Sequence, residues 1–228
     1  MPESSSWLAH QWVVAGIVSS TARFIPIPFV DDIVRDQCRR FVVSRTLSSH
    51  NRSDLLGDLK PYYSNSGGCL TGCLGVLAKA PLKILLFPLR KIVAMATSIR
   101  GVPLEIMRTV LLGRTLDRYL QQDSVTFNSE QANRMRLAFD ETFAHMDFRV
   151  LRAALTDALS SVSGWKSAAI AVATRIAGQK EAAEEDLQSE PKVDSGAERV
   201  QEVLERPETL ELFAEFDRRF DSALKQLS

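Results

Sequence analysis

Wherever apolar residues recur regularly in this 228-residue chain the step is three or four residues, and nowhere does a two-residue alternation persist. That property predicts an all-α protein. Trp7 to Phe24 reads as a first helix, with Leu8, Trp12, Ala15, Ser19 and Ala22 near one face and Val13, Val14, Ile17 and Val18 flanking it. Proline restricts the residue before it, so Pro26 and Pro28 hold Ile25 to Ile27 extended, and Pro28 is well placed to open a second helix ending near Leu47. That helix carries Asp31 and Asp32 early and Arg35, Arg39, Arg40 and Arg45 later. This order suits the helix dipole and allows Asp31–Arg35 and Asp36–Arg40 pairs. Val30, Val34, Cys38 and Phe41 form its buried stripe. Residues 48–68 read as a loop with one helical turn around Leu55. A fourth major helix starts at Gly101 and Pro103 and runs to Leu120. Ser129 caps another reaching Met146, and two more cover Phe148 to Leu159 and Trp165 to Ala177.

With 45% hydrophobic and 25% charged residues the chain can bury a sizeable core. Its formal net charge is zero, yet residues 1–122 hold 15 Lys and Arg against 8 Asp and Glu, and residues 123–228 hold 13 against 20. The basic half suits an anionic partner or contact with the acidic half. Three cysteines, Cys38, Cys69 and Cys73, make no disulfide framework, and Glu3 stands where a secretory leader would be basic. The expected location is therefore cytoplasmic. Residues 4–22 are uncharged but too polar for a membrane span.

From Gly67 to Ile99 every charge is positive and lies within an apolar, proline-interrupted run. On an ideal helix Lys79, Lys83 and Arg90 fall at about 0°, 40° and 20°, one narrow stripe, with Lys91 off it. Four such cations at a bilayer centre cost roughly 10 to 14 kcal/mol, and thirteen Leu, Ile, Val and Phe return only about 4 to 8. That comparison disfavours a spanning helix. At the interface the basic heads can reach lipid phosphates while Leu85, Phe87 and their neighbours enter the acyl boundary. Pro88 kinks the segment into a bent, shallow hairpin. The alternative is a buried central hairpin of a soluble helical domain. Cys69 and Cys73 read as packing residues, with no further ligand nearby to complete a metal site. Nucleic acid is disfavoured because the cations lie among aliphatic residues.

Residues 181–196, polar, acidic and containing Pro191, read as a flexible linker after a helical core domain at 1–180. Residues 197–228 read as a helical tail. Its Phe213, Phe216, Phe220 and Leu224 align on one face, and that stripe needs a partner surface: the chain's own core, a second copy, or another protein.

The run from Val14 to Asp32, a Gly/Ala-rich helix followed by Pro26, Pro28 and Asp31 in a Pro-x-Pro-hydrophobic-x-Asp turn, resembles one in bacterial membrane-associated helical domains. These are the domain of unknown function attached to some Era-like GTPases and the EcsC-type proteins. The resemblance covers about twenty residues and implies an all-helical, membrane-associated bacterial protein. No Gly-x-x-x-x-Gly-Lys-Ser/Thr motif occurs, so nucleotide hydrolysis is not implied.

Two acidic groups could suggest a hydrolase: Asp31 with Asp32, and Asp140, Glu141, His145 and Asp147, where Glu141 and His145 share a helix face. Adjacent carboxylates in a first turn ordinarily complement the dipole, and an isolated Glu/His pair is ordinarily solvated. We therefore expect no catalytic, cofactor-binding or metal-binding residues. The expected fold is an irregular multi-helix bundle with a kinked central apolar hairpin and a C-terminal amphipathic helix. The expected role is non-catalytic, peripheral association with an anionic membrane surface through Lys79, Lys83, Leu85, Phe87, Arg90 and Lys91, possessing a tail open to a partner. The alternative role is a soluble all-α interaction or scaffold protein.

Overall fold

The computed structural model describes residues 3–27, 29–64, 101–122, 127–178, 187 and 190–227, with side chains from Ser6 onward. Among them are nine α-helices and no strand: α1 (Glu3–Thr21), α2 (Val30–Ser49), α3 (Lys60–Tyr63), α4 (Val102–Leu120), α5 (Ser129–Ala144), α6 (Arg149–Ser160), α7 (Trp165–Ala177), α8 (Pro191–Leu204) and α9 (Pro207–Gln226). Short 3₁₀ turns cover Ala22–Phe24 and Ser53–Leu56. The all-α expectation holds. The central hairpin and the six residues assigned to membrane contact within it lie outside the described residues.

α1 is the axis of the fold. Every residue from Gln11 to Ala22 is buried, because α2, α4, α7 and α8 pack around it. A helix apolar on all sides, with small residues between, behaves in this way. Its hydroxyls are answered internally: Ser20 donates to the Ile17 carbonyl at 2.7 Å and Thr21 to that of Val18 at 2.9 Å. α4 runs antiparallel to α1 at close range. A Cβ on Gly16 would sit 2.9 Å from the Ile106 Cα, and one on Gly113 would sit 2.6 Å from the Trp12 indole. Trp12 is fixed from its other side by donating to the Thr46 hydroxyl at 3.0 Å.

A second cluster joins α3, α4, α5 and α9. Phe139 meets Phe216 edge-on at 5.5 Å and Tyr62 at 6.4 Å, and Tyr119 meets Phe220 at 5.6 Å. Such rings contribute beyond their buried area. The tail stripe assigned to a partner, Phe213, Phe216, Phe220 and Leu224, is therefore buried within the chain itself. The reason is geometric: α9 lies against α5, and those four residues form its inward face.

Several expectations are corrected. The second helix begins at Val30 and not at Pro28, because the left-handed Phe29 holds the position before it. Residues 191–196, assigned to the linker, are the first turns of α8: Pro191 starts it, where its missing N–H costs nothing, and Gly196 and Ala197 are buried. The cap of α5 is Asn128, whose side chain accepts from the Gln131 N–H at 2.8 Å, so Ser129 is already helical. Arg35 reaches Asp32, 3.8 Å away and one turn earlier.

Candidate functional site

The turn between α1 and α2 breaks several local rules within a few residues. Ile25 is extended, as a residue before proline must be, and is buried as an anchor. Beyond it Ile27 and Phe29 are each 51% exposed, and Ile33, one turn into α2, is 38% exposed. Phe29 has φ 66° and ψ −6°, a left-handed conformation that costs a bulky residue about 1 to 2 kcal/mol. It also occupies the cap position of α2 and makes no side-chain cap bond, where Ser, Asp or Asn would add about 1 kcal/mol. A glycine or asparagine would satisfy this backbone better.

Behind the turn lies a charged layer. Arg23 follows α1 and rests on Gly101, where an added Cβ would fall 2.1 Å from its Nη1. Glu105, in the first turn of α4, accepts from the Ser19 hydroxyl at 2.9 Å and from Arg39 at 3.4 Å; both of its partners are buried. Burial pushes the Glu105 carboxyl up, but Arg39, Arg35, Ser19 and Arg108 together hold it below the usual carboxylate range. Arg108 pairs with Asp140 and lies over the rings of Phe139 and Phe143. Desolvation lowers its pKa, with Asp140 opposing.

The same end of the bundle carries both flanks of residues 65–100. Gly101 sits under Arg23, and the Ser64 hydroxyl donates to Asp36 of α2 at 3.4 Å. Beside Phe24, the Lys166 ammonium stands 3.6 Å from the ring centroid, at a small cavity of about 150 Å³ lined also by Val102, Pro103 and Trp165.

The acidic groups weighed for hydrolysis do not converge. Asp140 is engaged by Arg136 at 2.8 Å as well as by Arg108. His145 donates through Nδ1 to the Glu141 carbonyl at 2.8 Å, and Asp147 is forked by Arg149. Among the described residues no group of His, Cys, Asp and Glu is placed to hold a metal ion. Cys38 is buried, and desolvation raises its thiol pKa, so it is inert as a nucleophile.

Among the described residues no helix is long and apolar enough to cross a membrane. Compared with family models, curated proteins and solved structures, the chain matches none of them. Sequence reasoning used Pro26, Pro28 and Asp31 but passed over Phe29, Arg23 and Glu105. Opening the second helix at Pro28 placed Phe29 inside it, so its position before Val30 was not legible in the sequence; the other two act through partners distant in sequence.

Proposed function

We propose that this is a non-catalytic helical protein that associates peripherally with an anionic membrane surface, at the cytoplasmic face of a bacterial membrane. The observation that carries this reading is Phe29: exposed, left-handed and in a capping position it cannot serve, it works against local stability. Backbone outliers of this kind cluster where a chain does work. Ile27 and Ile33 extend it into an apolar tip. Three half-exposed side chains entering an acyl boundary contribute about 3 kcal/mol together. Lys79, Lys83, Arg90 and Lys91, in the segment joined to Ser64 and Gly101, add ~1 kcal/mol each near anionic lipid. That sum suits reversible attachment.

Flotation with neutral and anionic vesicles at low and high salt tests it. Binding is expected to anionic vesicles alone, to weaken with salt, and to be lost in Phe29→Asp and Leu85→Asp at unchanged helical content. A monodisperse protein that ignores every vesicle would overturn it in favour of a soluble scaffold.

A further inference from the structure

Several arginines of this bundle are matched to carboxylates, and Arg23 is not among them. Arg39 has Glu105, Arg108 and Arg136 share Asp140, and Arg114 and Arg118 have Asp217 and Asp221. Arg23 has none within ion-pair distance among the described residues. Glu105 and Asp31 attract it from farther off, while Arg35 repels it. Residues 65–100, which join the chain at Gly101 beneath Arg23, contain no Asp or Glu and bring no counter-charge. Desolvation and the neighbouring Arg35 both lower the Arg23 pKa, which marks a cation held in an unfavourable place.

We infer that Arg23, supported by Arg35, is a phosphate-binding subsite that takes the headgroup phosphate of an anionic lipid while Ile27 and Phe29 enter the acyl boundary. It rests on the membrane-surface reading above. A guanidinium presents a planar fork that fits two phosphate oxygens, and one anion here would relieve the repulsion between the two arginines. The exposed apolar tip next to it selects lipid as the source, because a free phosphate would leave Ile27, Phe29 and Ile33 in water.

The test uses the full chain and flotation on phosphatidylcholine vesicles with and without phosphatidylglycerol. Arg23→Gln is expected to weaken partition into anionic vesicles at least about tenfold, and Arg199→Gln, on an exposed face, by less than about twofold. Arg23→Lys keeps the charge without the fork and is expected to recover less than half of the loss. The melting temperature of Arg23→Gln is expected to equal or exceed that of the wild type, since a strained cation is removed; a purely structural arginine would lower it. If wild type floats and Arg23→Gln floats equally, the subsite is wrong and the membrane reading stands. If wild type floats with no vesicle, both fall. Stabilisation of wild type but not of Arg23→Gln by inorganic phosphate, without flotation, overturns the lipid in favour of a free phosphate. Should Arg23→Gln melt far below wild type, Arg23→Lys decides, and full binding by the lysine variant overturns the fork.

Discussion

Arg118 on α4 donates two hydrogen bonds to Asp221 on α9, at 2.8 and 2.6 Å, and the hydroxyl of Tyr119 adds a third to the same carboxylate at 3.0 Å. These bonds fix the helix whose aromatic face fills the second cluster. Both groups are partly solvated, so we reduce the usual charged hydrogen-bond contribution and expect Asp221→Ala to cost about 1 to 2 kcal/mol. That corresponds to a fall of roughly 2 to 8 °C in melting temperature. Burial raises the Asp221 pKa, but the bonds from Arg118 and Tyr119 outweigh it and leave it below 3.8. The contribution is thus complete above pH 3.8 and lost as pH falls through the folded value. Melting curves of wild type and variant should converge in acid.

Glu105→Gln removes the carboxylate charge that faces Arg39, itself 4% exposed. Removing one partner of a buried pair costs about 3 to 5 kcal/mol, which a urea titration at pH 7 measures. The carboxyl is held below its ordinary 4.5, so the wild-type advantage exists above that pH and fades below it. A Gln variant as stable as wild type at neutral pH would show that the charged layer is not structural.

Close approach of α1 and α4 gives opposite expectations to helix propensity. Alanine improves an exposed helix over glycine by about 1 kcal/mol. At Gly16 the added carbon meets the Ile106 backbone, which cannot rotate away, and at Gly113 it meets a Trp12 ring held by Thr46. Overpacking of this kind costs about 1 to 3 kcal/mol. Gly16→Ala and Gly113→Ala should both lower the melting temperature, Gly16→Ala by more. A rise in either would mean the helices are free to move apart.

Phe29→Gly separates stability from attachment. Relief of about 1 to 2 kcal/mol of left-handed strain is partly offset by the greater freedom of glycine in the unfolded chain. The melting temperature should therefore stay level or rise by a few degrees. Vesicle binding should fall severalfold, because an aromatic side chain leaves the tip. If stability drops, the ring is packed rather than presented.

Periodicity read the helices well where one face was apolar: Trp165–Ala177 matches its expected bounds residue for residue, and α4 and α6 match within one or two. It served α1 less well. A partial stripe with an apolar flank was expected in a run too polar to span a membrane, whereas its polar Ser19, Ser20 and Thr21 are all buried. Ser20 and Thr21 bond to the preceding turn and Ser19 to Glu105 of α4, so none of the three needs solvent, and spacing alone does not reveal this. Residues 191–196 looked like linker because Lys192, Asp194 and Ser195 surround only a few apolar positions, yet Val193, Gly196 and Ala197 suffice to seat α8. The charged layer was illegible for another reason. Ser19, Arg39 and Glu105 lie on three different helices, and each has an ordinary local explanation until the fold brings them together.

α1 is covered on one side by α8, where His10 meets Gln201 across 191 residues of sequence. On a ribosome adding 5 to 20 residues per second, the most apolar helix among the described residues waits ~10 to 40 s for that cover. During biosynthesis its exposed Val13, Val14, Ile17 and Val18 are a ready target for chaperones, and for any membrane close enough to receive them first.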